Sequence, residues 1–157
     1  MEAVGLSDKG TPQENVDVVR RWLAAMSGSP EEIRAAIDEF WDADADYYPV
    51  RKFPEARPCH GLEEVARFFS SQFEDAFSRW NWEVSSVIAA GDDRVLASTN
   101  LRAQGRGSGI DLEGDLYYCY WLRHGRFFRV EDHLTVRGAL GAFGLEGETL
   151  ESAGLSA

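Results

Sequence analysis

The run from 82 to 136 most constrains what this chain can fold into, because four strand-like stretches follow one another there with little between them. They fall at roughly 82–90, 94–104, 111–123 and 126–136, and "GDDR" and "RHGR" read as hairpin turns. Strands joined in this way form an antiparallel meander. A sheet of that length must twist and curve, so one face becomes concave and needs an apolar cover.

The first half of the chain supplies the cover. From Glu14 the pattern is helical, with Val16, Val19, Leu23 and Met26 on one face and Trp22 beside it. Ser27-Gly28 ends that helix. "SPEE" then sets Ser29 as N-cap, Pro30 at the first helical position and Glu32 as the partner in a capping box. Ile33, Ile37 and Phe40 form the stripe of this second helix. "DADADYYPV" reads as a short strand ending at Pro49, and "RKFPEARPCHG" as a loop, since prolines interrupt any ladder. After Gly61 the spacing predicts a long helix to about Trp80, with Leu62, Val65, Phe69, Phe73 and Ala76 on its core side. Phe68, Phe77 and Trp80 widen that stripe.

Residues 1–12 and 146–157 read as flexible tails, leaving one domain over 13–145. The expected fold class is α+β: a curved, mostly antiparallel sheet wrapped around the long helix, with two further N-terminal helices. It forms a cone with an internal pocket suited to a small apolar molecule.

Charge and composition narrow the partners. Asp and Glu number 27 against 16 Lys and Arg, a net charge of −11, which disfavours nucleic acid and anionic membrane. The N-terminus has neither a basic region nor an apolar run, and no stretch approaches the length of a membrane span. Cys59 and Cys119 show no CxxC spacing and read as reduced thiols, so a cytoplasmic location is expected. Three histidines without an HExxH pattern disfavour a metal site.

Two segments carry a family resemblance. "PCHGLEEVARFF" resembles the glycine-led opening of a long helix in the SnoaL-like branch of the nuclear-transport-factor-2-like (cystatin-like cone) superfamily. "GRGSGIDLEGDLYYCYWLRHGRFFRVEDHLTVRGALGAFGL" resembles its hairpin, last strand and closing segment. The resemblance runs from about Glu14 to Leu145. Relatives of this kind include polyketide cyclases, ketosteroid isomerase, scytalone dehydratase and limonene epoxide hydrolase, together with non-catalytic binders. It implies chemistry with no cofactor: a carboxylate in an apolar cone moves a proton while hydrogen-bond donors steady an oxyanion. Desolvation suits a carboxyl to that work by raising its pKa.

In the last strand, alternation puts Phe128, Val130, Asp132 and Leu134 on one face and Phe127, Arg129, Glu131 and His133 on the other. The first set is apolar except for Asp132, which is therefore the leading catalytic candidate and matches the resemblance's last-strand acid. Against that stands a buried aspartate capping an amide or pairing with arginine. His133 takes the place of a family tyrosine and falls on the outward face. Tyr48, before Pro49, stands where the isomerase pattern carries its base, and as a phenol it suits oxyanion stabilisation better than proton abstraction. Whether Tyr47 or Tyr48 enters the cone stays open. His60 is a candidate at the mouth, Asn100 and Arg102 as polar lining, and Tyr118, Tyr120, Phe69, Phe73 and Trp41 as pocket wall. An Arg102 facing Asp132 would favour ligand anchoring over proton transfer. "GRGSG" reads as a hairpin tip, lacking a Walker lysine. The Trp121 face of the sheet is expected to carry a homodimer contact.

The leading expectation is a cofactor-independent enzyme of the isomerase, cyclase, lyase or hydrolase type acting on an apolar, ring-containing substrate. The alternative is a non-catalytic, dimeric ligand-binding or accessory protein, and a narrow, filled cone would favour a role in association.

Overall fold

The computed structural model describes residues 10–51, 53, 56–72, 77–107 and 111–155. Helix α1 (Pro12–Ala25) starts at a capping box: the Glu14 N–H donates to Thr11 Oγ1 at 3.1 Å, and the Thr11 N–H donates to Glu14 Oε1 at 2.8 Å. Helix α2 (Pro30–Phe40) repeats the device with Ser29 and Glu32, as "SPEE" requires. Each box satisfies two backbone donors that a helix start would otherwise leave open. Both helices turn their apolar stripes inward, with Val19, Trp22, Ile33 and Ile37 buried.

Strand β1 (Trp41–Tyr48) leaves α2 without a connecting loop, Trp41 being both the helix cap and the first strand residue. The two-residue β2 (Cys59–His60) opens helix α3 (Gly61–Ser70), and β3 (Phe77–Gly91), β4 (Arg94–Gly105), β5 (Leu112–Arg123) and β6 (Arg126–His133) follow as a meander. The six strands run in the order β2-β1-β6-β5-β4-β3. Among the described residues only β1 and β6 pair in parallel, which sets Tyr47 beside Val130. Helices α1 to α3 pack on the concave face and bury the main apolar core there. Among the described residues, no helix is long and apolar enough to cross a membrane.

Three local expectations are corrected. The long helix does not reach Trp80; α3 ends at Ser70 and β3 is under way at Phe77. The aromatics at 69, 73, 77 and 80 have helical spacing, but Trp80 and Trp82 have strand spacing, and their rings stack at 5.0 Å. A ladder with β4 running the length of β3 decides the matter. The segment read wholly as a proline-broken loop contains β2, whose Cys59 and His60 pair with Tyr47 and Asp46.

In β6 a bulge overturns simple alternation. Trp121 pairs with Arg129 but Leu122 pairs with Phe127, so Phe128 has no opposite residue. Phe127 therefore points inward and is fully buried, while Phe128 lies under the Arg123 guanidinium at 4.9 Å. Val130 and Asp132 remain inward as expected, and Leu134, past the end of the strand, is exposed.

Past β6 the described chain, to residue 155, folds back on the sheet. Thr135 caps a short helix, α4 (Val136–Ala142), and the chain then packs back on the convex face of the sheet. "LGAFGL" and "LESAGL" close in the same way: Leu145 N–H donates to Leu140 O and Leu155 N–H to Leu150 O, each past a glycine at positive φ (Gly144 at 75°, Gly154 at 81°). The first ends α4 and the second closes a turn with the same glycine-dependent geometry, each bringing an apolar residue back over an earlier one. Leu145, Leu150 and Leu155 pack against a second cluster built on Leu96, Cys119, Leu140 and Phe143. Trp121, in the patch expected to receive a second subunit, meets the Phe143 ring at 4.7 Å and stays half-buried.

Candidate functional site

Asp132 sits near the end of β6 on its inner face, opposite Tyr118 of β5, with Tyr47 reaching it from β1. It is 6% exposed and has no ion-pair partner among the described residues. The Tyr47 hydroxyl donates to Oδ2 at 2.6 Å, a length typical of a charge-assisted O–H···O contact. Oδ1 is buried and has no hydrogen-bond partner. Trp82 Nε1 donates to the Tyr118 hydroxyl at 2.9 Å. Tyr47 is clamped as well, stacked on Phe69 at 5.6 Å and edge-on to Trp41 and Phe68.

This setting determines the proton affinity of Asp132. Burial pushes its carboxyl up to about 8, while the Tyr47 hydroxyl and the Val50 backbone N–H act in the opposite direction. Burial also raises the phenols of Tyr47, Tyr118 and Tyr120, and the Asp132 charge adds to it. The phenols therefore stay neutral and the carboxyl is the group that titrates. Because Oδ2 accepts from Tyr47, the proton of the neutral acid falls on Oδ1, the oxygen without a partner. Below about 8 the group can give up a proton there, and above it the same atom can accept one.

Tyr118 and Tyr120 line the interior as expected, and Trp41 and Phe69 are buried in the aromatic wall. Tyr47, not Tyr48, enters the cone. Tyr48 lies on the other face with the Arg129 guanidinium 4.7 Å over its ring, so it is not positioned to act with Asp132. Asn100 and Arg102 are also on the outer side, bonded to Asp115 and Glu113. Arg102 therefore does not hold the Asp132 charge. His60 is exposed and pairs with Asp46 at 2.7 Å. His133 faces outward with Glu131, as alternation requires. Phe73 lies outside the described residues.

Sequence reasoning missed Trp82 and left Tyr47 undecided. The signals were present: Trp82 alternates with Trp80, and Tyr47 is in phase with the buried Ala45. The void beside Tyr47, Tyr118 and Trp82 has a volume of about 10 Å³, and Phe53, Phe68 and Trp80 help to close it. That is room for one water molecule. A larger groove of about 360 Å³ runs between α2 and α3, with Ile33, Ile37, Ala66 and Phe69 on its floor and Arg34 at its rim. Among the described residues, no three His, Cys, Asp or Glu side chains come together as a metal site.

An α+β cone with helices on its concave face and an acidic residue buried inside defines the class of protein to which this chain belongs. The chain is a member of the SnoaL-like domain family, whose model matches residues 13–137. No curated protein matches the sequence. Among solved structures, it is similar to a protein described as a proposed SnoaL-like polyketide cyclase from Jannaschia sp. CCS1, with 19% identity, 77% of this chain and 85% of the other covered, and a TM-score of 0.65. Bal32a, from a soil-derived mobile gene cassette, is 21% identical over 77% of this chain and 88% of its own, with a TM-score of 0.67. An LEH-like epoxide hydrolase of M. tuberculosis is 15% identical over 79% and 84%, with a TM-score of 0.61. At these identities the likeness is one of fold.

Proposed function

We propose that this chain binds a small, apolar, ring-containing molecule and performs acid–base chemistry on it through Asp132. The observation that carries this reading is the buried carboxyl with one oxygen bonded to Tyr47 and the other without a partner. Such an arrangement weakens the fold, because a buried polar atom without a partner costs free energy. A proton-transfer role gives it a reason.

In this reading Asp132 Oδ1 exchanges a proton with the substrate. Tyr47 fixes the carboxyl plane and lowers the cost of its ionised form. Tyr118 accepts from Trp82 and also has the Thr99 hydroxyl beside it, and in this reading its own O–H turns to donate to an oxygen that gains charge. The polyketide cyclase and epoxide hydrolase descriptions of similar folds fit side-chain acid–base chemistry of this kind. Binding has to move Phe53 or Phe68 aside, since the void beside Tyr47 admits only a water.

That small void also favours a second reading, a non-catalytic protein in which the same residues complete a closed core. The two separate on one experiment. Asp132→Asn should reduce solvent-deuterium exchange into cyclic ketones by roughly 10²-fold or more, at unchanged circular dichroism. Wild-type exchange at the background rate, or full activity in the variant, would end the catalytic reading.

A further inference from the structure

Outside the aromatic wall lies a pocket of about 130 Å³ that the proton-transfer reading leaves unused. It is lined by Arg57, Cys59, Glu64, Arg67, Phe68 and Ser71. Phe68 is common to this pocket and to the small void beside Tyr47, so one phenyl ring separates the two. The same ring packs edge-on against Tyr47 at 5.5 Å. Cys59 pairs with Tyr47 across β1 and β2, which brings the back of the pocket to the residue that holds Asp132.

Its charge is unusual for this chain. With a net charge of −11, an arginine here would be expected to find a carboxylate, and several do. Among the described residues, Arg57 and Arg67 make no ion pair. Glu64, the one acid in the lining among the described residues, is turned towards the start of α3, where its Oε1 accepts from the His60 N–H at 2.9 Å. Two guanidinium groups without a carboxylate partner among the described residues therefore flank an opening with Phe68 on its inner wall. Guanidinium binds carboxylate in a planar, two-bond geometry, and it does so most strongly where part of the surroundings excludes water.

We propose that this pocket is the entrance to the Asp132 site, and that Arg57 and Arg67 bind the carboxylate of an anionic, ring-containing substrate. The inference rests on the reading of Asp132 as the reacting group and names the substrate class for it. The carboxylate stays at the rim while the ring displaces Phe68 and reaches Tyr47. The local pair of cations also offsets the repulsion that an acidic protein exerts on an anion, and that repulsion is screened beyond about 10 Å at ordinary ionic strength.

The test uses the full chain with two probes of one shape, 1-naphthoate and the neutral 1-naphthamide, titrated by NMR of the backbone amides. Naphthoate should bind more tightly than the amide and shift Cys59, Phe68 and Ser71. In the Arg57→Gln/Arg67→Gln variant its affinity should fall by about tenfold or more, the equivalent of one lost charge-assisted bond, to that of the amide. Both arginines are exposed, so the variant should keep the wild-type melting temperature. Equal affinities in the wild type, no response to the double substitution, shifts confined to the α2–α3 groove, or no naphthoate binding would each overturn the proposal. The carboxyl carbon of Asp132 provides an independent reading. If it titrates near the ordinary aspartate value while naphthoate still binds at the arginines, the entrance stands and the acid–base role fails.

Discussion

Glu131 and Asp132 are neighbours in one strand, and their surroundings have almost nothing in common. Glu131, on the convex side, meets Arg129 Nη2 at 2.6 Å and His133 Nε2 at 3.1 Å. Arg129 in turn lies over Tyr48 and Trp121. Asp132, on the concave side, accepts from the Tyr47 hydroxyl through Oδ2, has the Val50 backbone N–H acting on it, and makes no hydrogen bond through Oδ1. Both carboxyls are shielded from water, Asp132 the more completely, but only Glu131 has a cation beside it. The difference lies in the supply of positive charge. An acid that has cations is anchored, whereas an acid given only neutral donors keeps its proton to higher pH and is available for transfer.

The largest test of that contrast is the pH dependence of stability. Asp132 rises from 3.8 to about 8 on folding, so between those values the unfolded chain releases a proton that the folded chain retains. Stability should therefore fall as pH rises through that window, by at most about 6 kcal/mol. Asp132→Asn removes the effect. In urea denaturation the variant should be close to wild type near pH 4 and clearly more stable near pH 9, by a few kcal/mol. Equal pH profiles would place Asp132 in a solvated setting and dissolve the contrast.

Tyr47→Phe should have a smaller effect of opposite sign. It removes the donor to Oδ2 and leaves that oxygen without its hydroxyl, at a cost of about 1–3 kcal/mol when the carboxyl is ionised. The Asp132 pKa should move further up, because the hydroxyl is one of the groups that lower it. Carbon-detected NMR of the aspartate carboxyls measures this directly, and a downward shift would contradict the assignment. The smallest effect belongs to the convex side. Glu131→Gln should cost no more than about 1 kcal/mol, since its Arg129 partner lies close to water. A loss as large as that from Tyr47→Phe would mean that the convex face is as tightly coupled as the cone.

Much of this contrast was legible before any coordinates. Alternation along β6 identifies Asp132 as an acid in an apolar row and sets Glu131 and His133 apart from it. The same rule fails four residues earlier, where the bulge at Phe128 reverses the faces and puts Phe127 into the core. A bulge is decided by how two strands fit, and one strand's sequence does not contain that fit. Between Tyr47 and Tyr48 the choice likewise depends on the parallel register of β1 against β6, a pairing between residues more than eighty positions apart. Asn100 and Arg102 share a face, as read, but which face was set by β4 lying between β3 and β5.

What the sequence determined by itself is local in cause: the Ser29–Glu32 capping box, the hairpin turns, the meander they punctuate, and the lone acid in an apolar row. Each follows from neighbours within a few residues, where backbone geometry and hydrogen-bond reach are nearly fixed. Only the tertiary structure decided the length of α3, the folding of the last residues over the convex face, and the partners of Asp132. The physical reason is the same in each case. A long β3–β4 ladder, a set of leucines meeting Phe143, and a tyrosine arriving from another strand gain their free energy from contacts across the fold, and such gains outweigh local preference.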